Sequence, residues 1–495
     1  RDCPGTTTCP AGGRCQAEAA RVRTQLSEIV VVNTALYGSN IMAGGHVLPP
    51  HDAVVIDEAH LSEDVFADQF GVEVHSGRLR HLAALVEPVA NAHEAVDRLR
   101  RAGKRLDELC TAAAVPEDPR VHACEGPLAE ILATIAAAVA DALKKLKDAK
   151  LDAGSPASAR KTRAEKAAQT LAYEVGRALD PDVYDTHVAW CTTEGSTPRL
   201  ALMPVVVGDV LSQQLLPTAT VVATSATLAV GGNFDAMAAR FGLTADDNWD
   251  GDRVPSPFDF REQAMLYVPK HLPDPRAPGA ADALADELHS LIVAAGGRTL
   301  ALFTSWNAMR AAADRCAAKG EYEVLRQGDR PRRVLVDSLR DNATAGGVAV
   351  FATMGFWTGV DVAGVGLSLV TIDRIPFPRP NEPLHAARRE RAVQAGLDPF
   401  ATVDVPRAAM LLAQGAGRLI RHREDRGVVA VLDRRLATAG YRRPILATMP
   451  PFRRSIDGDA VRVFLAEITR ALPADDGADQ EAEDQEAAGA AGDEE

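Results

Sequence analysis

The sequence predicts an α/β protein made of two parallel-sheet lobes, with a helical insertion in the first. Three observations predict it. Short β-branched runs such as residues 53–56 (Ala, Val, Val, Ile) stop abruptly at polar residues, as buried parallel strands do. Similar runs recur after residue 219 in alternation with helical stretches, the pattern of β-α-β units. Between the two blocks, residues 79–179 read as Ala-rich helix.

Taken in order, residues 1–25 carry three of the seven cysteines, Cys3, Cys9 and Cys15, with Pro4 and Pro10 stiffening the loop. Three soft thiolates close together suit zinc or an iron-sulfur cluster, and the spacing does not choose between them. Residues 29–32 and 53–56 read as strands of the first lobe, assigned to 26–62 and 184–250. Within the insertion, 63–183, Leu128, Ile131, Leu132, Ile135, Val139, Leu143 and Leu146 recur at three- and four-residue spacing. Gly154, Ser155 and Pro156 break that helix before another begins near Ala157, so the insertion is expected to be all-helical. Strands resume at 220–224, 299–303, 348–351, 367–372 and 427–432. Residues 248–258, with Gly251, Pro255 and Pro257, read as the linker to a second lobe spanning 251–473.

The 495 residues, 46% hydrophobic and 25% charged, are enough for several cores, and no run of about 18 uncharged apolar residues suggests a membrane span. The formal charge of −14 argues against a nucleic-acid partner only until its location is noted. Ten of the acidic side chains fall in 475–495, which has no basic residue and reads as a disordered tail covering 474–495. An odd number of scattered cysteines points to a reducing compartment rather than a disulfide framework.

Chemistry is concentrated in a few motifs. Asp57 and Glu58 follow an apolar run at the carboxyl edge of a parallel sheet, where such sheets bind ligands. Asp57 is suited to hold Mg2+ and Glu58 to orient and deprotonate an attacking water, although an acidic pair there also makes an ordinary helix N-cap. Ser225, Ala226 and Thr227 follow another strand and offer hydroxyls. Gln414 leads to Arg418 and Arg421, whose three-residue spacing places both on one helix face, able to stabilise charge on a γ-phosphate. Gly359 and Asp361 lie in a Gly-rich turn after a strand. Thr304 and Ser305, and Gln327 and Gly328, supply hydroxyl, amide and backbone donors suited to phosphates of a single strand.

In this order the motifs resemble the DinG group of bacterial superfamily 2 helicases, relatives of the eukaryotic XPD helicases. The likeness is carried by Ile56 to His60, Thr224 to Leu228, Phe356 to Asp361 and Gln414 to Arg421, with Val32, Asn33 and Thr34 and Ser256 to Asp259 in support. It runs to about Leu472. It implies two RecA-like motor domains, a partial iron-sulfur module and an arch inserted in the first motor, where about 168 residues separate Asp57 from Ser225. It further implies ATP between the lobes, Mg2+ on Asp57, general-base help from Glu58, and Arg418 and Arg421 serving the γ-phosphate. His60, Ser225, Thr227, Gly359, Asp361 and Gln414 would bind nucleotide and couple it to the DNA track. Asn33, Thr304, Ser305, Gln327, Gly328 and Trp357 would contact DNA. Cys3, Cys9 and Cys15 would ligate a [4Fe-4S] cluster whose fourth cysteine is expected upstream of Arg1.

No G-x-x-x-x-G-K-[ST] phosphate loop occurs. Together with the start at Arg1, this leads us to expect a piece of a longer chain that alone hydrolyses ATP negligibly. The expected function is an ATP-dependent DNA helicase of 5′-to-3′ polarity, working on single-stranded and forked DNA in repair or replication. Its place is the cytoplasm, at the nucleoid. A translocase without unwinding, or a silent metal-containing nucleic-acid-binding protein, are the alternatives. The basic residues of the insertion, Arg98, Arg100, Arg101, Lys104, Arg105, Lys144, Lys145, Lys147 and Lys150, read first as solvated helix faces and second as phosphate contacts.

Overall fold

The computed structural model describes residues 14–152, 155–195, 197–229, 233–244, 246–343, 347–357, 362 and 364–470. Cys3, Cys9, Gly359, Asp361 and the acidic tail lie outside the described residues. The chain forms two compact units. One comprises Arg1–Leu228, Phe234–Trp249 and Arg379–Pro399; the other comprises Ala229–Asn233, Asp250–Pro378 and Phe400–Glu495.

Unit 1 contains a parallel pair, β1 (Ala53–Ile56) beside β6 (Thr220–Ala223), with Ala53 opposite Thr220 and Ile56 opposite Ala223. Residues 29–32, expected as a strand, are instead coil, with Ile29 84% and Val31 92% exposed. No described strand runs beside them, and a β-branched run becomes a strand only where a neighbour takes up its backbone groups.

The insertion 63–183 is not all-helical, which corrects the sequence reading. The strands β2 (Val72–His75), β3 (Arg120–Val121), β4 (His187–Thr192) and β5 (Arg199–Pro204) form an antiparallel sheet in the order β2-β5-β4-β3. β2 and β3 fall within the insertion, and they join β4 and β5 from the following stretch assigned to the first lobe. Strands of two and four residues are too short to show a period in sequence. Helices Ser76–Val86, His93–Ala113, Gly126–Asp148 and Pro156–Leu179 pack with this sheet in one core, which runs from Val74 through Leu99 and Ile135 to Cys191 and Leu202. That core continues past residue 183 into β4 and β5. Helix Gly126–Asp148 is long and apolar enough to cross a membrane by length and composition. It nevertheless buries Leu128, Leu132, Ile135, Val139 and Leu146 against its neighbours, and these residues define one face at helical spacing.

Residues Arg379–Pro399, which the sequence places inside the second lobe, pack with unit 1. Helix Pro383–Gln394 is held there by Arg388, whose side chain is 10% exposed and reaches Asp64 at 2.8 Å, Glu63 at 3.5 Å and the Val205 carbonyl at 3.1 Å. Glu390 pairs with Arg120 at 2.6 Å, and Asn381 donates to the Pro116 carbonyl.

Unit 2 has one seven-stranded parallel sheet in the order β13-β7-β12-β11-β8-β10-β9. The strands are β7 (Ala264–Tyr267), β8 (Thr299–Phe303), β9 (Glu323–Arg326), β10 (Val348–Thr353), β11 (Leu369–Ile372), β12 (Gly427–Val431) and β13 (Arg453–Ser455). Both faces are covered, so alternate residues serve two cores. Leu300, Leu302, Val350 and Val429 meet helices Arg332–Arg340 and Val405–Ala416, whereas Ala301, Phe303, Phe351 and Val428 meet helices Ala280–Ala294, Trp306–Ala317 and Gly458–Arg470.

Candidate nucleotide and nucleic-acid sites

In unit 1 the parallel pairing of β1 and β6 puts their carboxyl ends side by side, and the two motifs meet there. The Thr224 amide donates to the Ile56 carbonyl at 2.9 Å and the Ala59 amide to the Thr224 carbonyl at 3.0 Å, which locks the loops together. The Thr224 hydroxyl donates to Asp57 Oδ1 at 2.9 Å, an oxygen that also accepts from the Glu58 amide at 2.9 Å. Glu58 is the only described non-glycine residue with positive φ, at 49°. Such a conformation costs about 1–2 kcal/mol and persists where the surroundings impose it, commonly at functional sites. It leaves the Glu58 carboxylate largely exposed, 3.4 Å from His60 Nδ1 and 3.5 Å from Ser225 Oγ.

His60 Nδ1 and Ser225 Oγ share a 2.6 Å hydrogen bond, and Ser225 Oγ also accepts from the Thr227 amide at 3.2 Å. Glu58, Ser225, His60 and Thr227 therefore form one polar relay from two motifs far apart in sequence. Burial holds the His60 imidazole below its usual range, with Glu58 opposing and Arg240 adding to the shift. A neutral ring suits a relay that accepts and donates hydrogen bonds without adding charge beside Glu58. His60 Nε2 is buried with no hydrogen-bond partner among the described residues.

In unit 2, Thr304 donates through its amide (2.9 Å) and hydroxyl (3.1 Å) to Asp373 at the end of β11. Burial pushes the Asp373 carboxyl up, against Arg374 and Thr304, which favour its charge. Ser305 caps helix Trp306–Ala317 by accepting from the Ala308 amide at 3.2 Å. Gln327 Oε1 accepts from the Thr353 amide (2.7 Å) and hydroxyl (3.0 Å), and Gly328 turns the chain at a φ of 100° beside Trp306. These residues occupy the carboxyl ends of β8, β9, β10 and β11. The Gln414 amide is buried with neither its oxygen nor its nitrogen hydrogen-bonded among the described residues.

Comparison with known proteins decides the family. The chain is 39% identical over 484 residues to the ATP-dependent helicase DinG of Mycobacterium tuberculosis, covering 95% of this chain and 71% of that one. The chain belongs to the DinG helicase family. It is also 34% identical over 476 residues to the ATP-dependent DNA helicase YoaA of Escherichia coli K12, covering 92% of this chain and 72% of the relative. The helicase C-terminal domain family matches residues 288–452. Among solved structures, Xpd4 of S. tokodaii aligns over 81% of this chain and 75% of its own, with a TM-score of 0.52 at 13% identity, a likeness of fold alone.

Two sequence expectations for this DinG-family chain need correction. Arg418 and Arg421 do not share a helix face, because helix Val405–Ala416 ends with Gly417 at its C-cap. The Arg418 and Leu419 amides turn back to the carbonyls of Gly415 and Ala416 at 3.3 Å, and Leu419 and Ile420 bury themselves in the next turn. Arg418 Nε then donates to the Trp357 carbonyl at 2.8 Å. Trp357 is only 1% exposed and packs among Leu302, Ile372 and Ala416, so its ring is a core element and not a stacking platform for a base. Asn33 caps helix Thr34–Met42 through the Leu36 amide at 2.7 Å. Of the insertion's basic residues, Arg98, Arg100 and Arg105 pair with Asp141, Glu87 and Glu108 at 2.6–2.8 Å, as solvated faces do.

Sequence reasoning missed Asp373, Asp433 and Asp425. Asp433 is fully buried, accepts the Ile375 amide at 3.0 Å and takes a two-pronged contact from Arg435. Asp425 accepts from the amides of Arg421 and His422 at 2.7 Å and of Gly364 at 2.9 Å. A signal for the first two was available. Each comes within two residues of the end of a buried strand, and a carboxylate at that edge is held by backbone N–H groups or a guanidinium.

Proposed function

We propose that the chain is the motor of an ATP-dependent DNA helicase that moves on single-stranded DNA, by family resemblance in the 5′-to-3′ direction, and opens forked duplexes at the nucleoid. The observation that carries the reading is the Glu58–Ser225–His60 relay at the paired ends of β1 and β6. Asp57 fits a water-mediated Mg2+ ligand, since Oδ1 is fixed by Thr224 and the Glu58 amide while Oδ2 is left clear of hydrogen bonds from the described residues. Mg2+ there would neutralise phosphate charge. Glu58, aimed outward by its left-handed backbone, accepts the proton of the attacking water, and Ser225 and His60 pass the change at Glu58 into helix Ser62–Phe70. Arg418 and Arg421, anchored by Trp357 and Asp425, serve the γ-phosphate, and the unsatisfied Gln414 amide fits a partner that arrives with nucleotide. Thr304, Ser305, Gln327 and Gly328 offer the DNA contacts of unit 2.

Cys3, Cys9 and Cys15 would hold an iron-sulfur cluster. Cys15 fits a ligand, because it opens helix Gln16–Gln25 with a thiol that makes no capping hydrogen bond.

In the full-length protein Glu58→Gln should lower DNA-stimulated ATP turnover by at least about a hundredfold and leave ATP binding intact. Undiminished turnover refutes the role of Glu58. The same preparation should unwind a 5′-tailed duplex and contain iron and acid-labile sulfide in equal amounts; zinc without iron refutes the cluster.

A further inference from the structure

The amino ends of the strands of unit 2 carry a cluster of arginines that the proposed motor chemistry does not use. Arg298 directly precedes β8, Arg426 directly precedes β12, and Arg453 opens β13. Two of them lie over the ring of the buried Phe464 of helix Gly458–Arg470, with guanidinium carbons 5.4 Å (Arg426) and 5.3 Å (Arg453) from its centroid. Near the end of that helix, a Cβ on Gly296 would stand 3.0 Å from the Thr469 methyl and 3.1 Å from Arg298 Nη1, which places the Arg298 guanidinium beside the last turn. Arg470 completes the turn. The helix rises about 9 Å from Phe464 to Arg470, so the four cations share one short stretch of surface. Arg426, Arg453 and Arg470 are exposed, and none of the four has an ion-pair partner among the described residues. Arg315 and Arg462 of the same unit, by contrast, hold Asp286 at 2.9 Å and Asp459 at 2.8 Å. Glu424 and Glu467, the carboxylates nearest in sequence to Arg426 and Arg470 that face solvent, pair with none of the cluster. Arg298 Nε and Nη1 are buried without a hydrogen-bond partner among the described residues, and burial holds that guanidinium below its usual range. A cation partly stripped of water and given no counter-charge is stabilised by an anion brought beside it.

We propose that the acidic stretch 475–495 of the same chain docks on this cluster, so that unit 2 carries its own polyanion and keeps others off the amino edge of its sheet. Helix Gly458–Arg470 delivers the chain to the cluster itself, beside Arg298. Residues 471–474 can span about 14 Å, enough to lead back over the roughly 9 Å to Arg426 and Arg453. The next 21 residues carry ten carboxylates and no cation, which complements four unpaired arginines in sign and in number. The stretch has no apolar face, so the contact is electrostatic and needs no fixed conformation. A short connection gives the tail an effective concentration in the millimolar range, so contacts that are weak singly can keep the cluster filled.

The test is binding of a fluorescent peptide of residues 473–495, followed by anisotropy, to the full-length protein with and without its own tail, the shorter form ending at Leu472. The tailless protein should bind the peptide at low salt with a Kd below the millimolar effective concentration, and the parent about tenfold more weakly, because its own tail competes. Binding should vanish near 1 M salt, where charges are screened beyond about 3 Å. Each exposed ion pair strengthens such a contact about two- to fivefold, so Arg426→Gln with Arg453→Gln in the tailless protein should weaken the peptide roughly tenfold. Arg426→Lys with Arg453→Lys keeps the charge and should stay within about threefold of the tailless parent, which separates charge from the packing of Phe464. Inorganic polyphosphate, a polyanion unrelated to the tail, should bind the tailless protein more tightly than the parent, and the two glutamines should remove that gain. Several results overturn the proposal: no peptide binding by the tailless protein, equal binding by parent and tailless protein, or peptide binding that the two glutamines leave unchanged. A polyphosphate gain that is absent, or that survives the glutamines, overturns the shielding role.

Discussion

Replacing Asp425 with alanine tests whether the arginines of unit 2 are placed by a buried carboxylate. The side chain is 4% exposed and receives three backbone N–H groups, from Gly364, Arg421 and His422, at 2.7–2.9 Å. Hydrogen bonds to a charged acceptor contribute about 1.5–3 kcal/mol each when shielded. His422 and Gly364 are exposed enough for water to replace much of that, so about 1 kcal/mol per bond and about 3 kcal/mol in all is the reasonable expectation. Gln263 still ties the loop through the carbonyls of His422, Arg423 and Asp425 at 2.9–3.1 Å, so the loss should stay local. Amide exchange at Arg421 and His422 should accelerate about a hundredfold in Asp425→Ala, the factor that matches about 3 kcal/mol of local opening. Turnover in the full-length enzyme should fall at least about tenfold with ATP affinity less affected. Asp425→Asn keeps one acceptor oxygen for the Arg421 and His422 amides and should lose about 1 kcal/mol. Unchanged exchange at Arg421 in the alanine variant would refute the reasoning, whatever happened to activity.

Unit 1 supports two further expected outcomes. Burial and Arg177 push the His187 imidazole down to about 4, because its Nε2 accepts from Arg177 Nη2 at 2.7 Å in the neutral form. A histidine depressed in the fold binds its proton more readily when unfolded, so its contribution is present above about pH 6.5 and is lost as pH falls toward 4. With discounting for partial solvent access this amounts to about 2 kcal/mol, to be seen as a falling urea midpoint of unit 1 over that window and as a flatter profile in His187→Gln; equal slopes in both proteins would contradict it. Arg388→Gln leaves Asp64 and Glu63 facing a neutral amide beside helix Ser62–Phe70, which begins just after His60. Since Asp64 is partly exposed, about 1–3 kcal/mol is expected rather than the full cost of a buried orphan charge. ATP turnover per base pair unwound should rise in this variant, and an unchanged ratio would show that the contact is only structural.

How much of the fold was legible in the sequence depended on whether a feature was local. In unit 2, β8, β10, β11 and β12 are buried on both faces and stood out as apolar runs, whereas the equally buried β7, Ala264–Tyr267, is too short to separate from a helix end. β9 and β13 are edge strands with charged residues, Glu323 and Arg326 in one and Arg453 and Arg454 in the other, and show no apolar pattern because only one side of each is paired. Asp57, Glu58, His60 and Ser225 were legible as types, but their relay was not, since it arises from the parallel register of β1 and β6 across an insertion of well over a hundred residues. The misplacement of Arg418 and Arg421 has the same origin. Three-residue spacing implies a shared face only while the helix lasts, and Gly415 and Gly417 mark where it stops: a Cβ on Gly415 would stand 3.0 Å from the Ile372 side chain, close enough to crowd it, and would touch Trp357. The glycines of this motif therefore set the core contact and the helix end, and the guanidiniums are aimed by the Trp357 carbonyl and by the backbone that the Asp425 carboxylate fastens. A motif that reads as two arginines on a helix is, in the fold, two arginines released from one and refastened by partners that sequence spacing does not reveal.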